Sequence, residues 1–357
     1  MTDGQPRGDI LPEDRETVGI PAGGTARPAA ASASGPFAIP EEPGGFPHDL
    51  AVDYEAGVEL EARSQWAYVR MRFVRHRLAM ASTIVLLALT AIALLASQVA
   101  PYSYDELDLA NISSPPTLEG THWFGTDLLG RDYLSRVIYG TRTSLLIAFL
   151  VALVSTLIGT ALGAVAGYYG GQIDNLLMRF TDLILTLPGL AVLLTAAAFL
   201  GSGDLAVGPF TLPQPVKVGL ILALLFWTQL ARIVRGLFLS LREKEFVEAA
   251  KAAGASDMRI IVRHILPNCV GPIVVTMTLV IATAILVEAA LSFLGFGIQP
   301  PHPALGKLIA EGQAEGFEVW WLVTFPGLVI VVICLAINFI GDGLRDALDP
   351  TQRRVRA

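Results

Sequence analysis

The stretch VGPIVVTMTLVIATAILVEAALSF, residues Val270–Phe293, carries a single charged side chain, that of Glu288. A helix needs about 20 mostly apolar residues to cross the hydrocarbon core of a bilayer, and this stretch is long enough. Five more stretches are apolar and nearly uncharged, at Met80–Ala100, Ser144–Tyr168, Leu183–Gly201, Val218–Ala231 and Trp320–Ile340. The sequence therefore predicts an all-α polytopic membrane protein with about six transmembrane helices, in a domain at residues 80–350.

The negative charge of the chain is concentrated at its N-terminus. Of the 357 residues, 53% are hydrophobic, and the formal net charge is −7. Residues 1–62 contain twelve carboxylates and three arginines, a net charge of −9, so the remaining residues carry +2. This segment has too few large apolar side chains to form a core, and we predict a disordered acidic tail. The remainder has no basic surface of the size that nucleic-acid binding needs, which excludes that class of partner.

The basic residues indicate how the chain is oriented in the membrane. A basic flank at residues 63–79 precedes the first predicted span. The segments between the predicted spans alternate between the two sides of the membrane. Of the basic residues in residues 63–357, seventeen lie in segments on the same side as this flank and five in segments on the opposite side. By the positive-inside rule, we predict that the N-terminal tail, the loop at residues 237–268 and the C-terminal tail at residues 351–357 are cytosolic. The long loop at residues 101–143 is then external.

The cytosolic loop at residues 237–268 has the composition of a short surface helix. Ala, Glu and Lys dominate its middle and favour a helix, which we expect Gly254 to end in the left-handed conformation. An apolar anchor, a charged group, small side chains and a Leu-Pro pair suit contact with a cytosolic partner. Pro267 lacks a backbone donor, which suits the junction where the chain returns to the membrane. The candidate partner-binding residues are Phe246, Glu248, Ala249, Ala250, Gly254, Leu266 and Pro267.

Three further patterns predict how the helices pack, bend and pair. The second span has a glycine at every fourth position, which predicts close packing against another helix; these glycines are Gly159, Gly163 and Gly167. Pro188 predicts a kink in the third span. Arg179 and Asp182 have the spacing of neighbours on one helix and predict an ion pair.

Three stretches resemble a family of transport proteins. Glu248-Ala249-Ala250, Gly254 and Leu266-Pro267 have the spacing of the EAA loop of ABC-importer permeases, with His264 where that pattern has isoleucine. Residues 124–145 look like the start of the second span in dipeptide, oligopeptide and nickel permeases. Residues 338–350 resemble the C-terminal ending of the same proteins. The resemblance covers about residues 70–350, with Leu305 at a position that is commonly tryptophan.

The resemblance implies a fold and a set of partners. The fold would be that of a type I ABC-importer permease, and the chain would form half of a translocation path in the bacterial inner membrane. A second permease would form the other half, two cytosolic ATPases would drive transport, and an extracytoplasmic binding protein would deliver the substrate. ATP and Mg²⁺ would bind the ATPases, and no cofactor is expected in this chain. Peptides are the favoured substrates, and nickel or another small solute is the alternative.

Glu288 is the one acid well inside a predicted span. An intramembrane carboxylate indicates a functional role by default, here contact with a substrate amine or a gate. The alternative is a hydrogen bond that locks the fifth span to the outer loop. Both interpretations stay open at the level of the sequence.

Two other classes of membrane protein fit the sequence less well. A self-sufficient ion-coupled carrier would need several intramembrane acids or a broken-helix ion site, whereas only Glu288 is found. A membrane enzyme would need a metal cluster or a nucleophile arrangement, and the five histidines have no ligand spacing. The chain also lacks the G-x-x-x-x-G-K-[ST] phosphate-binding motif, so we expect ATP hydrolysis on separate subunits.

Overall fold

A computed structural model describes residues 65–201 and 203–348. The tails predicted for residues 1–62 and 351–357 lie outside these ranges. Each long apolar stretch within the ranges is helical, which confirms the predicted all-α polytopic class.

The described residues form twelve α-helices, joined by turns, two short irregular helices and one hairpin. The helices are α1 (Gln65–Arg75), α2 (Arg77–Leu94), α3 (Ala96–Val99), α4 (Tyr133–Tyr169), α5 (Gly171–Thr186), α6 (Gly189–Leu200), α7 (Gln214–Leu241), α8 (Glu245–Ala252), α9 (Asp257–Arg259), α10 (Leu266–Phe293), α11 (Leu305–Ala314) and α12 (Trp321–Leu348). A π-helical segment, Ile260–Ile265, joins α9 to α10, and a 3₁₀ turn, Phe317–Val319, precedes α12. Antiparallel strands β1 (Leu205–Val207) and β2 (Phe210–Leu212) lie between α6 and α7.

Five helical segments of the described chain are long and apolar enough to cross a membrane, namely α2, α4, α7, the continuous helix Asp257–Phe293 and α12. The third predicted span, Leu183–Gly201, is broken, because α5 and α6 are bent by 83°. The break falls at Leu187, whose backbone is extended, immediately before Pro188. Proline disfavours a helical conformation in the residue that precedes it. The predicted kink is thus confirmed, as a full break between two helices.

The second span begins earlier than predicted. Helix α4 starts at Tyr133, so residues 133–143, which we assigned to the external loop 101–143, are helical. The carboxylate of Asp132 caps this helix, because it accepts hydrogen bonds from the Ser135 backbone N–H at 2.8 Å and from its hydroxyl at 2.7 Å. Apolar composition marks only the part of a helix that crosses the hydrocarbon core, whereas the N-cap decides where the helix begins.

The glycine face of α4 packs directly on α7. A Cβ atom built on Gly159 would lie 2.8 Å from the carbonyl oxygen of Trp227, and one on Gly163 would lie 2.4 Å from that of Ala231. Both distances are too short for a side chain, so glycine is what lets the two backbones meet. The predicted tight helix–helix contact is confirmed.

Two clusters of buried apolar side chains hold the helices together. The larger cluster joins α4, α7, α10 and α12, and its members include Val151, Leu222, Ile285 and Ile333. The smaller cluster lies where α7, α8 and the π-helical segment meet, and its members include Val234, Phe238, Val247, Ile260 and Ile265. The smaller cluster positions the candidate site.

The loop before α4 is fastened to the bundle by a buried charge network. The Asp127 carboxylate accepts hydrogen bonds from the guanidinium groups of Arg131 at 2.7 Å and Arg136 at 2.6 Å. Arg136 also donates to Glu311 of α11 at 3.0 Å. Charge-assisted bonds of this kind are stronger than neutral ones. The stretch that resembled the permease pattern at the start of the second span therefore has a structural role, which is to fix the loop onto the helices.

Candidate functional site

Helix α8 contains the Glu248-Ala249-Ala250 triplet and ends as the sequence predicts. The backbone N–H of Gly254 donates to the carbonyl of Lys251 at 2.9 Å, and that of Ala255 donates to the carbonyl of Ala250 at 3.0 Å. These two bonds are the Schellman arrangement, which requires a left-handed residue after the helix. Gly254 has φ +77°, so the predicted left-handed helix end is confirmed.

One face of α8 is anchored on its own chain. Val247 is completely buried in the smaller apolar cluster, and Ala250 packs half-buried against the same cluster. Ala250 therefore faces inward, whereas we had expected it to face a partner together with Ala249. Val247 was not among the predicted residues, although the i, i+3 spacing of Val247 and Ala250 is the signal of a buried helix face.

The opposite face of α8 is exposed. Phe246 is 41% exposed, an unusual state for a phenylalanine outside a lipid-facing surface, and Glu248 and Ala249 are also exposed. Gly254 is exposed as well, and a Cβ atom built on it would have no neighbour within 4 Å. An anchored helix thus presents an apolar ring, a carboxylate and small side chains outward, which is a combination suited to docking in a groove of another protein.

Leu266 and Pro267 do not lie where the chain turns back. The turn is at Gly254–Ser256, and the chain then continues as one helix from Asp257 to Phe293. Pro267 is exposed in the first turn of α10, and Leu266 is half-buried against the smaller cluster. The expectation that the chain turns back at Pro267 is therefore wrong, because the turn lies about a dozen residues earlier and Pro267 lies within the continuous helix Asp257–Phe293.

The π-helical segment shapes this junction. The Leu266 backbone N–H donates to the carbonyl of Ile261, five residues back, instead of the usual four. Ile260 and Ile265, also five residues apart, are both completely buried. The widened turn thus keeps two large side chains in the apolar cluster beneath α8. No feature of the sequence identified this segment in advance.

Polar contacts tie the end of α4 to the segment around α8. The Tyr168 hydroxyl donates to the Asp257 carboxylate at 2.8 Å, and the Lys251 ammonium lies 5.9 Å from the centre of the Tyr168 ring. The Arg242 guanidinium donates to the backbone carbonyls of Gly167 at 3.2 Å and Tyr168 at 3.3 Å. The last turn of α4 is therefore joined to both ends of the α8 region.

Two ion pairs join the broken span to α7. The guanidinium of Arg235 forms a bidentate pair with the carboxylate of Asp174, and Arg232 pairs with Asp182. The partner predicted for Asp182 was Arg179 on the same helix. The structure instead gives Asp182 a partner on α7, because helix packing brings the two residues together across 50 positions of sequence.

Glu288 is completely buried and has two hydrogen-bond donors. The Ser144 hydroxyl of α4 donates to one carboxylate oxygen at 2.8 Å, and the Ser292 hydroxyl donates to the other at 2.7 Å. Ser292 in turn accepts from the backbone N–H of Ile298 at 3.1 Å. The carboxylate thus links α10 to α4 and to the loop beyond α10, the geometry expected of the structural interpretation.

Replacing Glu288 with Gln separates the two interpretations of this residue. The amide keeps one acceptor oxygen and replaces the other with an NH₂ group, so one of the two hydroxyls loses its acceptor; we expect near-normal transport and a loss of stability of about 1–2 kcal/mol. Glu288→Ala should cost more, because two buried hydroxyls lose their acceptor. Uptake and thermal unfolding measure the two effects, and a Gln variant that folds normally but does not transport would instead indicate a gate or substrate contact.

His122 is the centre of a second polar cluster, in the loop before α4. Its ring lies 2.8 Å from the Asp132 carboxylate and 3.3 Å from that of Asp108. Burial alone would lower the pKa of His122, but the bonds to Asp132 and Asp108 outweigh it and raise the pKa above the usual value. Bonds from Asn111 and His122 lower the pKa of Asp108. The cluster lines an open cavity of about 360 Å³.

The raised pKa of His122 predicts a pH-dependent loop. The bonds from protonated His122 to the two carboxylates stabilise the folded loop. This contribution is fully present below the pKa of an unfolded histidine, about 6.5, and is lost as the pH rises through the higher pKa of the folded state. The bond to Asp108 persists in acid down to the lowered pKa of that carboxyl. We expect the protection factors of amides in residues 108–132, which correct for the intrinsic pH dependence of hydrogen exchange, to rise between pH 8.5 and pH 6, and His122→Gln to remove this rise. An unchanged rise in the variant would contradict this prediction.

No three His, Cys, Asp or Glu side chains in residues 65–201 and 203–348 are placed to hold a metal ion. The candidate site has the character of a docking surface. It consists of the exposed face of α8, the buried anchor beneath it and the polar contacts that lead to α4.

Known proteins are similar to most of the chain. A chain of the MetNI methionine ABC transporter, in an inward-facing crystal form, is 19% identical with a TM-score of 0.48, over 60% of this chain and 97% of that chain. The permease protein OppC of the oligopeptide transport system of Escherichia coli K12 is 42% identical over 302 residues, 84% of this chain and 96% of that protein. OppC of Mycobacterium tuberculosis H37Rv is 42% identical over 297 residues, 83% of this chain and 98% of that protein.

Two family models match as well. The N-terminal transmembrane domain of oligopeptide transport permease C matches residues 64–116. The model of binding-protein-dependent transport system inner membrane components matches residues 159–354, more than half of the chain. Together with the identities to the two curated permeases, these matches show that the chain belongs to the family of binding-protein-dependent transport system inner membrane components, as a multi-pass permease subunit of an ABC importer.

Proposed function

We propose that this chain forms half of the translocation path of a peptide importer and receives the motion of a cytosolic ATPase through α8. The substrate class is proposed from relatives whose names state oligopeptide transport. An ABC permease works with ATPase and substrate-binding partners in general. The finer assembly proposed here is one second permease, two ATPases that carry ATP and Mg²⁺, and one extracytoplasmic binding protein.

The main support for a coupling role is that α8 has one buried face and one exposed face. Val247 holds one face in the apolar cluster, while Phe246, Glu248 and Ala249 are exposed on the other. A helix that was free on both sides would move without moving the bundle. Because α8 is anchored, a force applied to its exposed face reaches α7 and the π-helical segment directly. A ligand or partner can shift a conformational equilibrium only through contacts that differ between the states, and this face supplies such contacts.

Polar contacts connect the α8 region to the membrane-spanning helices. Arg242 and Tyr168 connect the α8 region to the end of α4, and Arg235 connects α7 to the broken span through Asp174. The bent helices α5 and α6 are otherwise mostly exposed. We propose that these contacts carry the motion of α8 to the helices that line the path.

The orientation of the chain is part of this proposal. ATP hydrolysis takes place in the cytosol, so α8 must be cytosolic if an ATPase docks on it. Both termini then lie on the same side, in agreement with the distribution of basic residues. Cysteine labelling with a membrane-impermeant reagent tests this: a cysteine at Ala249 should react only in inside-out vesicles, and one at Leu118, which is 93% exposed, only in right-side-out vesicles.

The function is tested by reconstitution of the permease pair, the ATPases and the binding protein in liposomes. We expect uptake of a labelled oligopeptide that requires ATP on the ATPase side and is not reduced by an excess of Ni²⁺. Uptake of nickel without peptide uptake would favour the small-solute alternative. Peptide uptake by the permease without any ATPase would favour an ion-coupled carrier and contradict the proposal.

A further inference from the structure

A short helix precedes the first span and is held against the last one. Helix α1 packs on α12 through Phe73, whose ring would lie 3.3 Å from a Cβ atom built on Gly343. The chain then bends at His76, whose ring accepts a hydrogen bond from the Ala79 N–H at 3.1 Å and lies 3.9 Å from the Asp346 carboxylate. The position of α1 at the end of the first span is therefore fixed by packing and by polar contacts.

The exposed surface of this junction includes both positive charges and apolar side chains. Arg70, Arg75 and Arg77 are exposed, and so are Val74 at 54% and Leu78 at 58%. We call these five residues the arginine patch. Below it, the exposed surface of α2 is wholly apolar over its next turns, with Ile84 at 62% and Leu87 at 63%. The patch thus lies where a lipid-facing surface ends.

The three arginines of the patch have no carboxylate partner in residues 65–201 and 203–348. The acids that α12 contributes at this end of the bundle are Asp342 and Asp346, and Asp346 lies beside His76. Arginine has a planar guanidinium group, which can bind an oxyanion such as phosphate with two parallel hydrogen bonds. Arginines without a carboxylate partner in the described part of the chain, at the rim of an apolar surface, therefore match a ligand that has a phosphate group and a hydrocarbon chain.

We propose that the arginine patch binds the headgroup of an anionic phospholipid, with the acyl chains along the exposed face of α2. The phosphate accepts hydrogen bonds from the guanidinium groups of Arg70 and Arg77, while Val74 and Leu78 contact the start of the acyl chains. Basic residues at the end of a transmembrane helix attract anionic lipid strongly. Here the fixed position of α1 makes the patch a defined site, which does not depend on what the transporter carries.

The test uses the full-length chain with its partner subunits in nanodiscs of mixed phosphatidylcholine and phosphatidylglycerol. Native mass spectrometry counts the phosphatidylglycerol that stays bound to the released protein. We expect enrichment in the wild type and a loss of about fivefold or more in Arg70→Gln/Arg77→Gln. The matched control is Arg259→Gln/Arg263→Gln, which removes the same charge from two other exposed arginines and should keep the enrichment.

Three results would overturn the proposal. Equal enrichment in the wild type and in Arg70→Gln/Arg77→Gln would mean that the patch does not select lipid. Equal loss in the control variant would mean that only total charge matters. Enrichment that appears only after deletion of residues 2–62 would mean that the acidic tail, with its net charge of −9 in residues 1–62, occupies the patch in the intact protein.

Discussion

Gly254→Trp and Glu248→Arg should each abolish ATP-coupled uptake while the permease remains inserted in the membrane. Both residues are exposed next to the anchored face of α8, and Gly254 has open space around it. The indole would occupy the space where a partner must approach, and the arginine would reverse the charge offered for pairing. We expect association with the ATPase to weaken by about 30-fold or more, as when a central interface residue is lost. Co-purification and uptake measure the loss.

The control for Gly254→Trp must distinguish the effect of a large side chain from the effect of backbone strain. Gly254 has φ +77°, a conformation that costs most residues about 1 kcal/mol or more but that asparagine tolerates. Gly254→Asn should therefore retain uptake and co-purification. If Gly254→Trp and Glu248→Arg both transported at the wild-type rate, α8 would not be the coupling element and the proposed function would lose its mechanism.

Gly163→Leu should cause a large loss of stability. A Cβ atom there would lie 2.4 Å from the carbonyl oxygen of Ala231, and a backbone oxygen cannot rotate away as a side chain can. Helices α4 and α7 must therefore move apart, and the close packing between them is lost. We expect destabilisation of about 3 kcal/mol, seen as a lower unfolding temperature and a lower yield in detergent.

Gly236→Leu is the matched control for this substitution. Gly236 lies on α7 in the same helix pair but is exposed, and a Cβ atom there meets nothing within 4 Å. The same change of residue should therefore cost little. Equal stability of the Gly163 and Gly236 variants would contradict the close approach of α4 and α7.

Much of the candidate site could be predicted from local sequence, because its features depend on near neighbours. The helical stretch before Gly254 and the left-handed glycine follow from propensity and backbone sterics alone. The break before Pro188 is equally local, since proline restricts the residue before it. The glycine face of α4 is a repeat within one helix, and only the identity of its partner, α7, had to come from the structure.

The errors have two causes: a contact between distant residues leaves no local signal, and some local signals were not used. Asp182 was paired with Arg179 because the two are neighbours on one helix, whereas packing supplies Arg232. The spacing of Val247 and Ala250 marks a buried helix face, but the partners that bury Val247, Ile260 and Phe238, come from other parts of the chain. The start of α4 was placed too late because apolar composition marks the membrane and not the N-cap.

By itself, the sequence determined that this chain is a helical membrane protein with a short polar helix ending at Gly254, because bilayer thickness, helix propensity and glycine stereochemistry act on consecutive residues. Only the tertiary structure decided which face of that helix is free. Burial of Val247 removes one side from any partner and leaves Phe246, Glu248 and Ala249 outward. Which face is buried depends on apolar side chains that the fold brings together from α7, α8 and the π-helical segment. Their burial is favourable only when all three elements are in place.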